Sequence, residues 1–229
     1  MKHPRVTEFF SGVRDELPIL LGVVPFGLIF GALAVHTGLS QAAAQATSFI
    51  IFAGSAQFIA VQLLGASASV SVILMVVFVV NIRHALYSAS VAPYIAHLKP
   101  IWKYILAYFL TDEAYVVAIT NYDNNGTSAI RHWYFLGAGV TLWASWQIST
   151  LIGILVGSEL GDSWPVGFAL PLTFIALVVP GLKNRPAVLA AVTAGVIGLL
   201  TVSFPYKSGL LLAAFCGIAA GLIAEKKWA

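Results

Sequence analysis

The sequence predicts an all-α integral membrane protein of about eight transmembrane helices, some of them interrupted. Three observations carry this. The 229 residues are 59% hydrophobic and only 9% charged, where a soluble domain carries roughly 25% charged residues. Mean hydropathy is +0.91. From Leu17 to Ile82 there is no Asp, Glu, Lys or Arg at all. The apolar runs suit helices, and none alternates like a barrel strand, which excludes an outer-membrane barrel. Residues 1–229 read as a single polytopic domain. Seven crossings result if the last two short helices only partly enter the membrane.

Residues 1–16 are polar and mixed in charge, an expected cytoplasmic segment with Phe9 and Phe10 at the interface. Ala32-Leu33-Ala34 resembles a signal-peptide cleavage site, but Asp15 and Glu16 precede a long apolar run, so a retained helix is expected over Leu17–Val35. Pro18 is tolerated in its first turn and Pro25 should kink it. Gly27 and Gly31 offer a close helix contact. Residues 36–47 are polar, uncharged and expected to link.

The second helix, Ser48–Leu64, contains Phe52-Ala53-Gly54-Ser55-Ala56-Gln57-Phe58. Gly, Ser and Gln at mid-membrane invite a break lining a cavity, or else a straight helix with a small-residue face. The third, Ser71–Ala92, is expected to end before Pro93. The fourth, Ile101–Thr120, is interrupted by Thr111-Asp112-Glu113, and residues 121–132 are turn-rich. The fifth, Trp133–Gly157, carries Gly153 and Gly157 on one face. The sixth, Val166–Val179, contains Pro171. Ala187–Val202 and Ser208–Ala224 complete the set, with Gly217 and Gly221 read as a docking face for a second subunit or a second copy. A faint internal repeat aligns Gly31-Ala32-Leu33 and Phe52 with Gly153-Ile154-Leu155 and Phe174. With both termini in the cytoplasm, Lys2, Arg5, Arg14, Arg131, Lys183, Arg185, Lys226 and Lys227 lie inside, and Lys99, Lys103 and Lys207 outside.

Several function classes drop out. The single Cys216 supports no disulfide or Cys-based metal framework. A pI near 9.0 is no nucleic-acid signal, because the basic residues are scattered over helix ends. There is no HExxH and so no zinc signature. Ser55 and His84 lack a GxSxG elbow, so an enzyme is not expected, nor any cofactor or metal.

What remains is a small set of intramembrane polar groups. Arg83 is the first charge after Glu16 and lies within apolar sequence, in Asn81-Ile82-Arg83-His84-Ala85-Leu86-Tyr87. Such charges are costly and mark a substrate or ion path, or lock helices together. Asp112 and Glu113 are the only acids between Glu16 and Asp123. In a hairpin of the third and fourth helices, Arg83 and Asp112 both fall about 14–16 Å from the same membrane face. Neighbouring positions point about 100° apart, so one carboxylate meets Arg83 while the other faces the cavity. His84 either relays protons or hydrogen-bonds to Asn81 or Tyr87.

Phe52–Phe58 (FAGSAQF), Asn81–Pro93 (NIRHALYSASVAP), Thr111–Tyr115 (TDEAY) and Leu170–Pro180 (LPLTFIALVVP), in this order and spacing, resemble the AzlC family of large permease subunits of branched-chain amino acid exporters. The resemblance extends from about Gly12 to Lys183 by motif. It implies a multi-pass subunit of the bacterial inner membrane that exports leucine, isoleucine, valine and sometimes methionine with a small AzlD-type membrane partner. The alternatives are a scaffold subunit whose partner holds the site, and an uncoupled channel.

Residue roles rest on the physical reading. A zwitterion with an aliphatic side chain needs a cation for its carboxylate, an anion for its ammonium and an apolar pocket. Arg83 and Asp112, with Gly54, Ser55, Gln57 and Asn81, are the expected substrate-binding residues. Glu113 and His84 are the expected proton-coupling residues, and Phe52 and Phe58 the expected pocket walls.

Overall fold

Every element among the described residues is a helix, and the longest of them organises the rest. The computed structural model describes residues 4–125, 130–159, 182, 184–204 and 208–228. Helices run over Pro4–Glu16 (α1), Leu20–His36 (α2), Gln41–Ile50 (α3), Gly54–Gly65 (α4), Val70–Asn81 (α5), Arg83–Ile95 (α6), Pro100–Tyr108 (α7), Asp112–Asn125 (α8), His132–Glu159 (α9), Arg185–Leu200 (α10) and Ser208–Trp228 (α11). The 28 residues of α9 span about 42 Å. Helices α1, α2, α3, α7 and α8 all pack against it.

Glycines explain why α2 and α9 sit so close. A β-carbon on Gly31 would collide with the backbone of Thr150, Gly153 and Ile154, and one on Gly153 with the backbone of Leu28. Gly27 faces Ser149, and Gly157 faces Ala32. The small-residue pairs expected on these two helices thus face each other and bring main chain against main chain.

The same device extends to α1. Gly12 abuts the Tyr134 backbone, and Gly137 abuts the Phe9 backbone. The N-terminal residues from Pro4 are therefore a packed helix, not a detached polar segment, and the first long helix begins well before Leu17. A 3-10 turn at Leu17–Ile19, with Pro18 inside it, joins α1 to α2.

Between α2 and α9 the chain makes three interrupted helices. α3 and α4 together cover 41–65, broken where Phe52 takes φ 37°. Of the two alternatives for 52–58 the chain takes the break and not the straight helix, but the polar run before it is not a link. Ser40 caps α3 by accepting from the Ala43 amide at 3.2 Å, and Gln45 and Ser48 reach α9. α5 and α6 form one long apolar helix bent at Ile82. Pro93 lies inside α6, not beyond its end; one missing amide bond near a terminus is tolerated. α7 and α8 are separated by Phe109–Thr111.

α10 and α11 pack on each other. The Gly217 and Gly221 face turns to Ala190 and Ala194 of α10, so it is an intrachain contact and not the free docking face expected. The sixth helix, with Pro171 and the Phe174 echo, lies outside the described residues.

Large apolar side chains such as Leu21, Leu74, Phe78 and Leu86 are exposed. Exposed apolar surface on this scale marks a protein solvated by lipid. Among the described residues, three helices are long and apolar enough to cross a membrane: Pro4–His36, Val70–Ile95 and His132–Glu159. Arg185–Leu200 is a shorter apolar helix.

Candidate functional site

The three interruptions meet at one cavity of about 290 Å³. Gly54, Arg83 and Asp112 are the first residues of α4, α6 and α8, and all three line it. The first amides of a helix have no intrahelical acceptor, and its N-terminus carries a partial positive charge. Three broken helices thus direct their N-termini to a common space, an arrangement that favours an anionic group.

Why the first break holds its shape follows from side-chain bonds on either side. At the end of α3, the Ser48 carbonyl accepts from Gln147 Nε2 at 3.1 Å and the Phe49 carbonyl from the Tyr108 hydroxyl at 2.7 Å. Trp143 Nε1 donates to Tyr108 in turn, at 2.9 Å. Orphan carbonyls at the interruption are thereby satisfied from α9 and α7. On the α4 side, Gln57 Nε2 donates to Ser48 Oγ at 3.0 Å, and Trp146 Nε1 donates to Gln57 Oε1 at 3.2 Å. Ser48 also bonds to Thr150 Oγ1 at 3.2 Å.

The charged groups lie together. Arg83 Nη1 is 2.6 Å from Asp112 Oδ2. Arg83 Nη2 donates to Ser55 Oγ at 2.6 Å. The side chains of Arg83 and Asp112 are 32% and 36% exposed, so the pair faces the cavity instead of being sealed from it. Arg83 Nε and Asp112 Oδ1 have no hydrogen-bond partner among the described residues. One donor and one acceptor of the pair are therefore left over, both shielded from the cavity.

Of the residues singled out from sequence, Arg83, Asp112, Gly54, Ser55, Glu113 and His84 all line the cavity. His84 Nδ1 donates to the Asn81 carbonyl at 3.1 Å, and its ring meets Tyr87 edge-on at 5.7 Å. Gln57 and Asn81 are not among the lining residues. Gln57 is fully buried and holds Trp146, while Asn81 acts through its carbonyl. Phe52 lines the cavity, but Phe58 is buried behind it against Phe26 and Phe30.

Sequence reasoning missed Ile19, Val23, Phe26, Leu142 and Trp146, which make most of the apolar wall. None carries a local signal, since each is one apolar residue in an apolar helix. It also missed Glu16, whose side chain is fully buried at the end of α1. Gly12 and Glu16 share a face at i, i+4, but that spacing alone does not show the face to be the buried one.

The sequence profile described as AzlC protein matches residues 18–160. The chain belongs to the AzlC family. Every residue lining the cavity falls within that match, so the site is built wholly from the AzlC segment. The chain is 29% identical over 228 residues to "Inner membrane protein YgaZ" of Escherichia coli (strain K12), covering 96% of this chain and 92% of that one. It is 32% identical over 214 residues to an "Uncharacterized membrane protein" of Archaeoglobus fulgidus, covering 91% and 92%. A similarly named protein of Helicobacter pylori (strain 26695) is 31% identical over 183 residues, covering 77% and 78%. No solved structure matches the chain.

Proposed function

We propose that this AzlC-family protein is the transport subunit of a proton-coupled exporter of branched-chain and other aliphatic amino acids. In this reading it works in a bacterial inner membrane, with both termini cytoplasmic, together with a small AzlD-type membrane partner. The observation that supports it is the Arg83–Asp112 pair, about one-third exposed, lining an apolar-walled cavity.

The substrate carboxylate is met by Arg83 and the N-termini of α4 and α6, and its ammonium by Asp112. The aliphatic side chain lies against Val23, Phe26, Phe52 and Trp146. A cavity of about 290 Å³ is at the lower end of the range for small-molecule sites, which suits one amino acid and not a peptide. Glu113 beside the pair is the proton-accepting group. The E. coli relative is named an inner membrane protein, which supports the location.

Counterflow of labelled leucine, valine and methionine in proteoliposomes, with and without the small partner, tests this reading. Saturable exchange that requires Arg83 is expected. Flux of the same size through Arg83→Met would overturn it.

A further inference from the structure

Among the described residues, Glu16 is the one fully buried acid, and the transport reading leaves it unused. Its side chain is fully buried, and neither carboxyl oxygen has a hydrogen-bond partner among the described residues. It ends α1, immediately before the 3-10 turn whose Ile19 lines the cavity. α1 packs on α8 and α9. α8 carries Glu113 at its start, on the cavity, and α9 carries Tyr134 in its first turn. The Tyr134 hydroxyl donates to Asp15 Oδ2 at 2.6 Å. Leu17–Ile19 carries no titratable group. Arg131, at the foot of α9, is turned away to the Asn121 and Tyr122 carbonyls, and Arg83 is engaged by Asp112 and Ser55.

A buried carboxylate with no donor and no cation is strongly disfavoured against the neutral acid. On α8, the helix α1 packs against, Glu113 is the acid beside the Arg83–Asp112 pair that also reaches the cavity. Glu113 lines the cavity and Glu16 does not, so one of these two glutamates is in contact with the substrate space and one is sealed behind it.

We infer that Glu16 and Glu113 form a shared proton-binding site, with Glu16 the proton carrier and Glu113 its exchange point with the cavity. This rests on the transport reading and names the residue that stores the coupling ion. The step is a proton transfer alone. The O–H bond at Glu16 breaks and, relayed by an intervening water, one forms at Glu113, while the negative charge moves the opposite way. Loading ends when a cavity water takes the proton from Glu113, or supplies it.

Two readouts test it, and they fail separately. In proteoliposomes holding the protein and its small partner, Glu16→Gln is expected to abolish leucine accumulation driven by an imposed pH gradient, while counterflow persists. Asp123→Asn, at a surface pair with Tyr94, is the control and should accumulate leucine as the unmodified protein does. Accumulation by Glu16→Gln equal to that control would overturn the inference. Should the unmodified protein show no counterflow of any aliphatic amino acid, the transport reading fails, and infrared difference spectroscopy decides the proton site alone. A protonated-carboxyl band at neutral pH, lost in Glu16→Gln and kept in Glu113→Gln, supports it. A spectrum unchanged by Glu16→Gln overturns it.

Discussion

Arg83 and Ser55 are joined by a 2.6 Å hydrogen bond from Nη2 to Oγ, across 28 residues of sequence. The bond ties the start of α6 to the start of α4, and the same guanidinium reaches Asp112 at the start of α8. One side chain thus fixes three helix ends around a single space, while its Nε stays unpaired.

Arg83→Met should therefore damage both assembly and transport. Because the pair is partly open to the cavity, the loss of stability is expected at about 2 kcal/mol, below that of a fully sealed pair. Arg83→Met with Asp112→Asn should recover folded yield without recovering exchange. Thermal unfolding in detergent and leucine counterflow on the same preparations separate the two effects.

Gln57→Leu should destabilise the protein by about 2–3 kcal/mol, since Ser48 and Trp146 both lose a buried partner. With Trp146 released from its bond, the cavity wall loosens, and the apparent affinity for leucine should fall. Unchanged affinity in a counterflow titration would show that Trp146 is held by packing with Phe30 and Phe26 instead.

Two glycines separate packing from substrate space. Gly153→Ala puts a methyl group into the Leu28 backbone and should cost about 2–3 kcal/mol. Gly22→Ala meets nothing within 4 Å, so the protein should fold normally and be stabilised slightly by the better helix former. Gly22 lines the cavity, so this variant should discriminate against leucine more than against alanine. Competition for labelled valine measures the difference.

Orientation follows from the charge bias. In a Cys216→Ser background, cysteine at Lys99 should react with an impermeant maleimide in intact cells, and cysteine at Asn124 only after lysis. The opposite pattern would invert the topology.

Arg83 and Asp112 were legible in the sequence because charge is so rare in it and because equal helical depth pairs them. The break before Gly54 was half legible: Gly, Ser and Gln crowded into apolar sequence suit a break or a straight helix with a small-residue face equally. The helical nature of α3 was not, since its polar side chains are satisfied by Gln147 and Thr150, some hundred residues away. Glu16 was hidden for a different reason. An acid at the edge of an apolar run has the pattern of a surface anchor, and only the packing of α1 on α8 and α9 buries it. Trp146 lies mid-way along an unbroken helix, and nothing local distinguishes it from Trp143, which turns to Tyr108.

The glycine contacts between α1–α2 and α9 also bear on what can move. Where main chain touches main chain, no rotamer can change to absorb a shift, and separating the helices would open a void along their whole length. These helices behave as a fixed post. α4, α6 and α8 each begin at an interruption, at Phe52, Ile82 and Phe109–Thr111, where a few backbone dihedrals suffice to swing a half-helix. Among the described helices, any rocking that opens the cavity first to one side and then to the other therefore falls to these pivoting halves, turning against a stationary column.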